Sequence, residues 1–118
     1  MYRITGLFLF LSLSLSTFAG ECFTVGKDSF YMTTQGSNKV VICLKGNSKY
    51  CGLYFCYKKD ENQDEKHCQG DDDSGSFVIQ KNIIYLKGDI MLGNPDDAYQ
   101  MSVPKKVRKK LVSCSPKK

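Results

Sequence analysis

The chain has 118 residues, a formal net charge of +5 and six cysteines, with one histidine and no tryptophan. A chain of this length can bury one modest hydrophobic core, which excludes a multidomain architecture. A single histidine also excludes histidine-rich zinc sites and paired-histidine acid–base chemistry. We therefore expect one domain that has no metal site, no cofactor and no enzymatic activity.

Residues 1–19 have the three parts of a secretory signal. Arg3 gives a positive start, residues 7–15 form an apolar run, and Thr17 and Ala19 are small residues at the −3 and −1 positions of a cleavage site. This apolar run is much shorter than the ~20 residues that a spanning helix needs, so we expect cleavage after Ala19 and no membrane span. The expected product, residues 20–118, is then a single disulfide-rich domain, secreted and extracellular.

Six cysteines follow the expected cleavage point, and they are Cys22, Cys43, Cys51, Cys56, Cys68 and Cys114. An even number in a small exported chain predicts three disulfides, because the export route is oxidising. The alternative is a zinc site, but the gaps between successive cysteines are 20, 7, 4, 11 and 45 residues, and none gives a C-x2-C pair. Six cysteines allow about 15 pairings. Only Cys22 with Cys114, at the two ends of the domain, is favoured, because closing so long a loop stabilises most.

Beyond residue 20 the sequence predicts short antiparallel strands separated by turns. Aromatic and β-branched runs alternate with clusters of glycine, asparagine and aspartate. The predicted strands are residues 22–25, 29–33, 40–44, 50–57, 77–80, 83–87, 89–92 and 97–103. Turns this frequent are typical of a small, mainly β fold, either an antiparallel β-sandwich or a barrel.

The cysteines at 43, 51 and 56 constrain the hairpin around residues 46–48. A three-residue loop there places Cys43 opposite Cys51 and Lys45 opposite Lys49. Cys51 and Cys56 cannot pair on one continuous strand, since five residues span ~17 Å and a disulfide bridges at most ~7 Å between Cα atoms. Their odd separation points the two side chains to opposite faces, so we expect each to bond to a different neighbouring strand.

Residues 58–76 are predicted to form a long polar loop that Cys68 anchors. Seven acids and one lysine fall between positions 60 and 73. The spacing of Asp71, Gly75 and Asn82 does not fit the ligand positions of an EF-hand, so no calcium site is expected. The loop is the candidate binding element if the protein is a protease inhibitor.

Cys68-Gln-Gly-Asp71 followed by Ser74-Gly75 resembles the segment around the nucleophile of chymotrypsin-like serine proteases. Two further aspartates interrupt the segment, although the oxyanion-hole amides of such enzymes must lie at a fixed offset from the nucleophile. His67 is adjacent in sequence rather than on a facing barrel. We expect no catalytic residues.

Residues 88–99 resemble the E–F corner of immunoglobulin domains, which would imply a two-sheet sandwich. Here Asp97 and Tyr99 are two residues apart, where that corner has four, and Met101 stands at the position of the expected cysteine. The resemblance covers about a dozen residues and identifies no family.

The basic segment near the C-terminus is the strongest functional candidate. It holds five cations within six residues, and they are Lys105, Lys106, Arg108, Lys109 and Lys110. Such a cluster suits a sulfated glycan, an anionic lipid or a nucleic acid, and secretion favours a glycan or a membrane surface over nucleic acid. The expected partner is an acidic glycan or an extracellular protein receptor. The alternative is a solvated edge strand whose lysines deter aggregation.

The secondary structure of this segment is ambiguous. Val103, Val107, Leu111 and Cys114 share a face at helical spacing, whereas a strand places Val107, Lys109 and Leu111 together. We favour a strand and keep a short C-terminal helix as the alternative. The sequence as a whole predicts a secreted, non-enzymatic binding or regulatory protein; the alternative is a secreted toxin, effector or protease-inhibitor-like module. It makes no prediction of oligomeric state.

Overall fold

Eleven strands are present in residues 20–71 and 74–115, the part of the chain that this computed structural model describes. The predicted signal segment, residues 1–19, lies outside the described residues. The strands are β1 Gly20–Val25, β2 Asp28–Gln35, β3 Lys39–Leu44, β4 Asn47–Tyr57, β5 Glu65–Gly70, β6 Ser76–Gln80, β7 Ile83–Leu86, β8 Ile90–Asn94, β9 Asp97–Met101, β10 Val107–Lys110 and β11 Val112–Cys114.

The main sheet closes on itself. Strands β1 to β7 pair in chain order, each antiparallel to the next. β10 then pairs with β7, and β11 pairs with β1. Because only Leu111 separates β10 from β11, one extended segment joins both edges of the sheet. The predicted antiparallel β fold is therefore confirmed, and its sheet is barrel-like.

A hairpin of β8 and β9 forms a separate two-stranded sheet. It carries apolar side chains at alternating positions, and Ile90, Leu92, Met101 and Val103 are all buried. These side chains join a core that includes Phe30, Ile42, Tyr54, Phe77, Ile84 and Leu86. The hairpin thus covers part of the interior of the closed sheet.

Three disulfides link the strands, and the described residues include no free cysteine. Cys22 bonds to Cys114 and so links β1 to β11, the predicted end-to-end pairing. The other two disulfides join cysteines that lie directly opposite each other, Cys43 with Cys51 and Cys56 with Cys68, at Cα–Cα distances of 4.0 Å. The prediction that the cysteines at 51 and 56 bond to different neighbours is confirmed.

The β3–β4 connection places Cys43 opposite Cys51 as predicted, but its turn and register differ from the predicted three-residue loop. The turn has two residues, Lys45 and Gly46, and Gly46 has a φ of 87°, which glycine adopts without steric cost. Leu44 pairs with Asn47, and the register then shifts, so residues 48–50 are extra on β4. This irregularity, and not a three-residue loop, places Cys43 opposite Cys51.

The prediction of a continuous polar loop over residues 58–76 is wrong, because Glu65–Gly70 forms β5. The segment EKHCQG has no strand signature of its own, but β4 and β6 pair with it on both sides. Gly70 lies beside the buried Tyr54 ring, where a Cβ would come within 2.8 Å of Cε2. Tertiary pairing here overrides weak local propensity.

The C-terminal helix, kept as an alternative, does not form. Residues 107–110 and 112–114 are strands, and Leu111 donates its backbone N–H to the carbonyl of Asn82. An extended chain rises ~3.3 Å per residue and a helix 1.5 Å, so only the extended form reaches both β7 and β1. The resemblance to immunoglobulin domains does not extend to topology either, since consecutive strands pair in order and do not follow a Greek key.

Candidate functional site

The basic segment runs from the bend before β10 into that strand. Lys105 and Lys106 precede β10, and Arg108, Lys109 and Lys110 belong to it. Lys105, Lys106, Arg108 and Lys110 are exposed, whereas Lys109 is half-buried on the same face as Val107 and Leu111. The two ion pairs found among the described residues, Lys49–Asp97 and His67–Glu65, involve none of these five cations. Four of the five predicted residues therefore present positive charge to solvent.

The acidic residues remain separate from the basic segment in three dimensions. Asp60, Glu61 and Asp64 belong to the connection between β4 and β5, and they are exposed. In the sheet order, β6 and β7 lie between β5 and β10. The charge asymmetry of the sequence is thus an asymmetry of the surface, which favours an oriented approach of a charged partner.

Beside the basic segment lies an outer face, defined here as two rows of outward side chains across β4, β5, β6, β7 and β10. The strand registers align the first row, which is Tyr57, His67, Val78, Tyr85 and Arg108. The second row is Phe55, Gln69, Ser76, Lys87 and Lys106, of which the last two continue the register one position beyond the Leu86–Val107 pair. The intervening residues Cys56, Cys68, Phe77 and Leu86 point inward and are buried.

Aromatic rings are exposed at the β4 end of this face. Tyr57 is 54% exposed and Phe55 is 44% exposed. The His67 ring stacks on Tyr57 at a centroid distance of 5.8 Å and an interplanar angle of 27°, and His67 Nε2 lies 3.4 Å from a Glu65 oxygen. Lys39 Nζ lies 5.9 Å from the Phe55 ring centroid, within the range of a cation–π contact. The β4 end of the outer face therefore offers exposed aromatic rings with a cation, Lys39, beside one of them.

A recess of about 140 Å³ opens in the outer face. Its walls include Tyr57, His67 and Val78 from the first row, and Gln69, Ser76 and Lys87 from the second. Pockets that enclose a small molecule usually measure ~300–1,000 Å³. The recess is therefore suited to one ring or one branch of a longer ligand that extends along the face.

A larger open groove of about 580 Å³ lies between β4 and the β8–β9 hairpin. Leu53, Met91, Pro95 and Ala98 line it together with Asp71, and none of the described residues that line it is a cation. An acidic partner would gain no charge pairing there. The recess and the basic segment are the better match for an anion.

A polar cluster ties three turns together at one end of the sheet. Asp97, after the β8–β9 turn, accepts a hydrogen bond from the Tyr50 hydroxyl at 3.1 Å and pairs with Lys49 at 2.5 Å. The hydrogen bond from Lys49 holds the pKa of Asp97 below its usual range, and the same pair raises the pKa of Lys49. Tyr99 packs on Tyr50 and donates to Asp28 beside the β1–β2 turn. These contacts fix the turns relative to one another.

Tyr54 anchors the hairpin from the centre of the core. Its ring is fully buried, and its hydroxyl lies 3.0 Å from the Met91 carbonyl oxygen and 3.2 Å from that of Ser74. Burial raises the pKa of the Tyr54 phenol far above its ordinary value. The hydroxyl stays neutral and donates, which is a structural role.

Within residues 20–71 and 74–115, no three side chains of His, Cys, Asp or Glu are grouped so that they could hold a metal ion. None of the charged side chains described is fully buried. The described part of the chain includes no helix long and apolar enough to cross a bilayer.

Sequence reasoning identified the basic segment but missed the recess. Half of its lining comes from β5 and the start of β6, which were assigned to a loop. The alternation of Phe55 and Tyr57 with buried Tyr54 and Cys56 was the available signal, since it places two aromatic rings on the outward side of β4. No protein-family model, curated protein or solved structure matches this chain.

Proposed function

We propose that this chain is a secreted, non-enzymatic binding or regulatory protein that contacts an acidic extracellular partner, a glycan or a receptor, through its basic segment. The observation that carries the proposal is the exposure of Lys105 and Lys106 just before β10 and of Arg108 and Lys110 on it, apart from the ion pairs found elsewhere. Three disulfides in so small a domain support an extracellular location, because such bonds persist in oxidising compartments.

The energetics favour binding by charge. Cations that already pair with a carboxylate must break that pair before they bind an anion, whereas solvated lysines exchange only water and counterions. β10 and its pairing with β7 already hold the backbone of this segment in place. Binding an anion therefore costs less conformational entropy than it would if the cations were on a flexible tail. Affinity from such contacts falls with ionic strength, since salt screens exposed charges within ~8–10 Å.

The test is elution from immobilised heparin in a rising NaCl gradient. A variant with all five cations of the basic segment changed to glutamine is expected to elute at a much lower salt concentration than the wild type. The matched control changes five cations elsewhere to glutamine, namely Lys27, Lys45, Lys58, Lys59 and Lys66. Both variants have the same net charge, so a difference between them reports position and not total charge.

Folding of each variant is checked by far-UV circular dichroism and by the mass of the disulfide-linked peptides. Unchanged elution of the basic-segment variant would refute the proposal. If that variant also aggregates, the lysines instead protect the outer edge of β10, which pairs with β7, whereas pairing with β1 begins at Val112 in β11. Equal losses in the two variants would mean that net charge alone governs retention, which also contradicts the proposal.

A further inference from the structure

We infer that the recess in the outer face binds one ring of an acidic oligosaccharide, so that the partner is a sulfated or carboxylated glycan lying across the strands from β10 to β4. This inference rests on the proposed function, because the basic segment supplies the charged end of the surface. Three features carry it: the continuity of the recess with the cations, the chemistry of its lining, and its size.

Continuity comes from the strand registers. Arg108 pairs with Tyr85 in the first row. In the second row, Lys106 and Lys87 are the next residues beyond the paired Val107 and Leu86. Lys87 itself lines the recess. Neighbouring strands are ~4.8 Å apart, so the rows run about 19 Å from β10 to β4. An anionic chain bound to the basic segment and aligned with a row therefore passes directly over the recess.

The lining suits a sugar ring. Carbohydrate rings have an apolar C–H face, which packs on aromatic rings, and polar hydroxyls around the edge. Tyr57 and His67 offer the stacked aromatic wall, while Gln69 and Ser76 are paired neighbours that can donate to and accept from hydroxyl groups. Lys87 and Lys39 supply cations on the two sides of this polar pair for sulfate or carboxylate groups.

Charge complementarity decides the class of ligand. The two rows contain three cations, and Glu65, two residues before His67 on β5, lies 3.4 Å from the His67 ring nitrogen. A bare polyanion such as polyphosphate would use the cations but gain nothing from Tyr57, His67 and Gln69. An acidic glycan uses both kinds of contact, and glycans of this kind are extracellular, as the protein is proposed to be.

The experiment measures the binding of the disulfide-bonded protein to two probes: a heparin octasaccharide, and a polyphosphate with the same number of negative charges. Tyr57→Ala is expected to weaken octasaccharide binding about three- to tenfold, because the sugar ring loses the aromatic surface that it covers; this loss corresponds to ~0.7–1.4 kcal/mol. Polyphosphate binding should change less than twofold. Leu53→Ala is the matched control, because Leu53 is an exposed apolar residue on the same side of the same strand and does not line the recess.

NMR chemical shifts provide a second readout that does not depend on the variants. The backbone signals of His67, Gln69 and Ser76 should move with the octasaccharide and stay in place with polyphosphate. An unchanged octasaccharide affinity in Tyr57→Ala, or an equal loss for both probes, would overturn the inference. So would tighter binding of a sulfotyrosine peptide or an oligonucleotide of equal charge that depends on Tyr57.

The basic-segment variant separates this inference from the proposed function. If the basic-segment variant no longer binds either probe while Tyr57→Ala binds both as the wild type does, the proposed function is supported and the inference that the recess binds a sugar ring is refuted. If it keeps both probes, the proposed function fails, and the inference that rests on it fails too.

Discussion

Replacing Tyr54 with phenylalanine tests how the β8–β9 hairpin is held on the sheet. The ring stays in place, packed edge to face against Phe77 at 5.0 Å, so no cavity forms. Only the hydroxyl is lost, and with it the bond to the Met91 carbonyl oxygen at 3.0 Å. The Ser74 carbonyl oxygen, 3.2 Å from the same hydroxyl, still accepts a hydrogen bond from the Met91 backbone N–H in the variant.

The magnitude follows from that difference. A neutral hydrogen bond contributes ~0.5–1.5 kcal/mol net, and a buried carbonyl left without a donor costs ~1–3 kcal/mol. We expect Tyr54→Phe to lower the free energy of unfolding by about 1 to 2 kcal/mol at pH 7. Equilibrium unfolding in urea with the disulfides intact measures this directly. Tyr57→Phe is the control, because the exposed Tyr57 can exchange its hydroxyl contacts with water and should change stability by less than ~0.5 kcal/mol.

The pH dependence gives the same prediction a second readout. Burial raises the pKa of Tyr54 in the folded state, whereas the unfolded chain releases this proton near pH ~10. Above that pH the unfolded state binds fewer protons than the folded state, so the wild type loses stability as the pH rises. The Tyr54→Phe variant lacks this titration. The difference in the free energy of unfolding between the wild type and the variant should therefore become smaller as the pH rises above ~10. A variant as stable as the wild type at pH 7, or a gap that stays constant above pH 10, would refute the role given to the hydroxyl.

Two further predictions concern the disulfides and the turn cluster. Changing Cys22 and Cys114 to alanine should lower the free energy of unfolding by about 4–5 kcal/mol, and removing the Cys43–Cys51 bond should lower it by about 2–3 kcal/mol, because the first bond closes a much longer loop. Urea unfolding of the two variants tests this order, and equal losses of stability would contradict it. NMR titration of Asp97 should give a pKa below 3.8 that returns towards 3.8 in Lys49→Met, since the Lys49 hydrogen bond lowers it. An unchanged Asp97 pKa in that variant would show that the pair does not form in solution.

Local signals predicted much of the fold. Turn residues and alternating apolar residues identified eight of the strands, because both depend on contacts between near neighbours in the chain. The sequence did not predict β5, since this strand forms through pairing with β4 and β6 and through the disulfide at Cys68. The C-terminal segment was ambiguous for a similar reason. Its apolar residues fit either periodicity, and only the two open edges of the sheet require it to be extended.

The candidate site divides in the same way. The sequence by itself determined the basic segment, because five cations within six residues are adjacent whatever the fold. It also indicated that the six cysteines form disulfides and favoured the pairing of Cys22 with Cys114, which the structure contains. Only the tertiary structure brought Tyr57, His67, Gln69, Ser76 and Lys87 together around one recess and placed that recess beside the cations. Those residues come from β4, β5, β6 and the position just after β7. The register of these strands depends on long-range pairing, and a shift of one residue would turn their side chains to the opposite face.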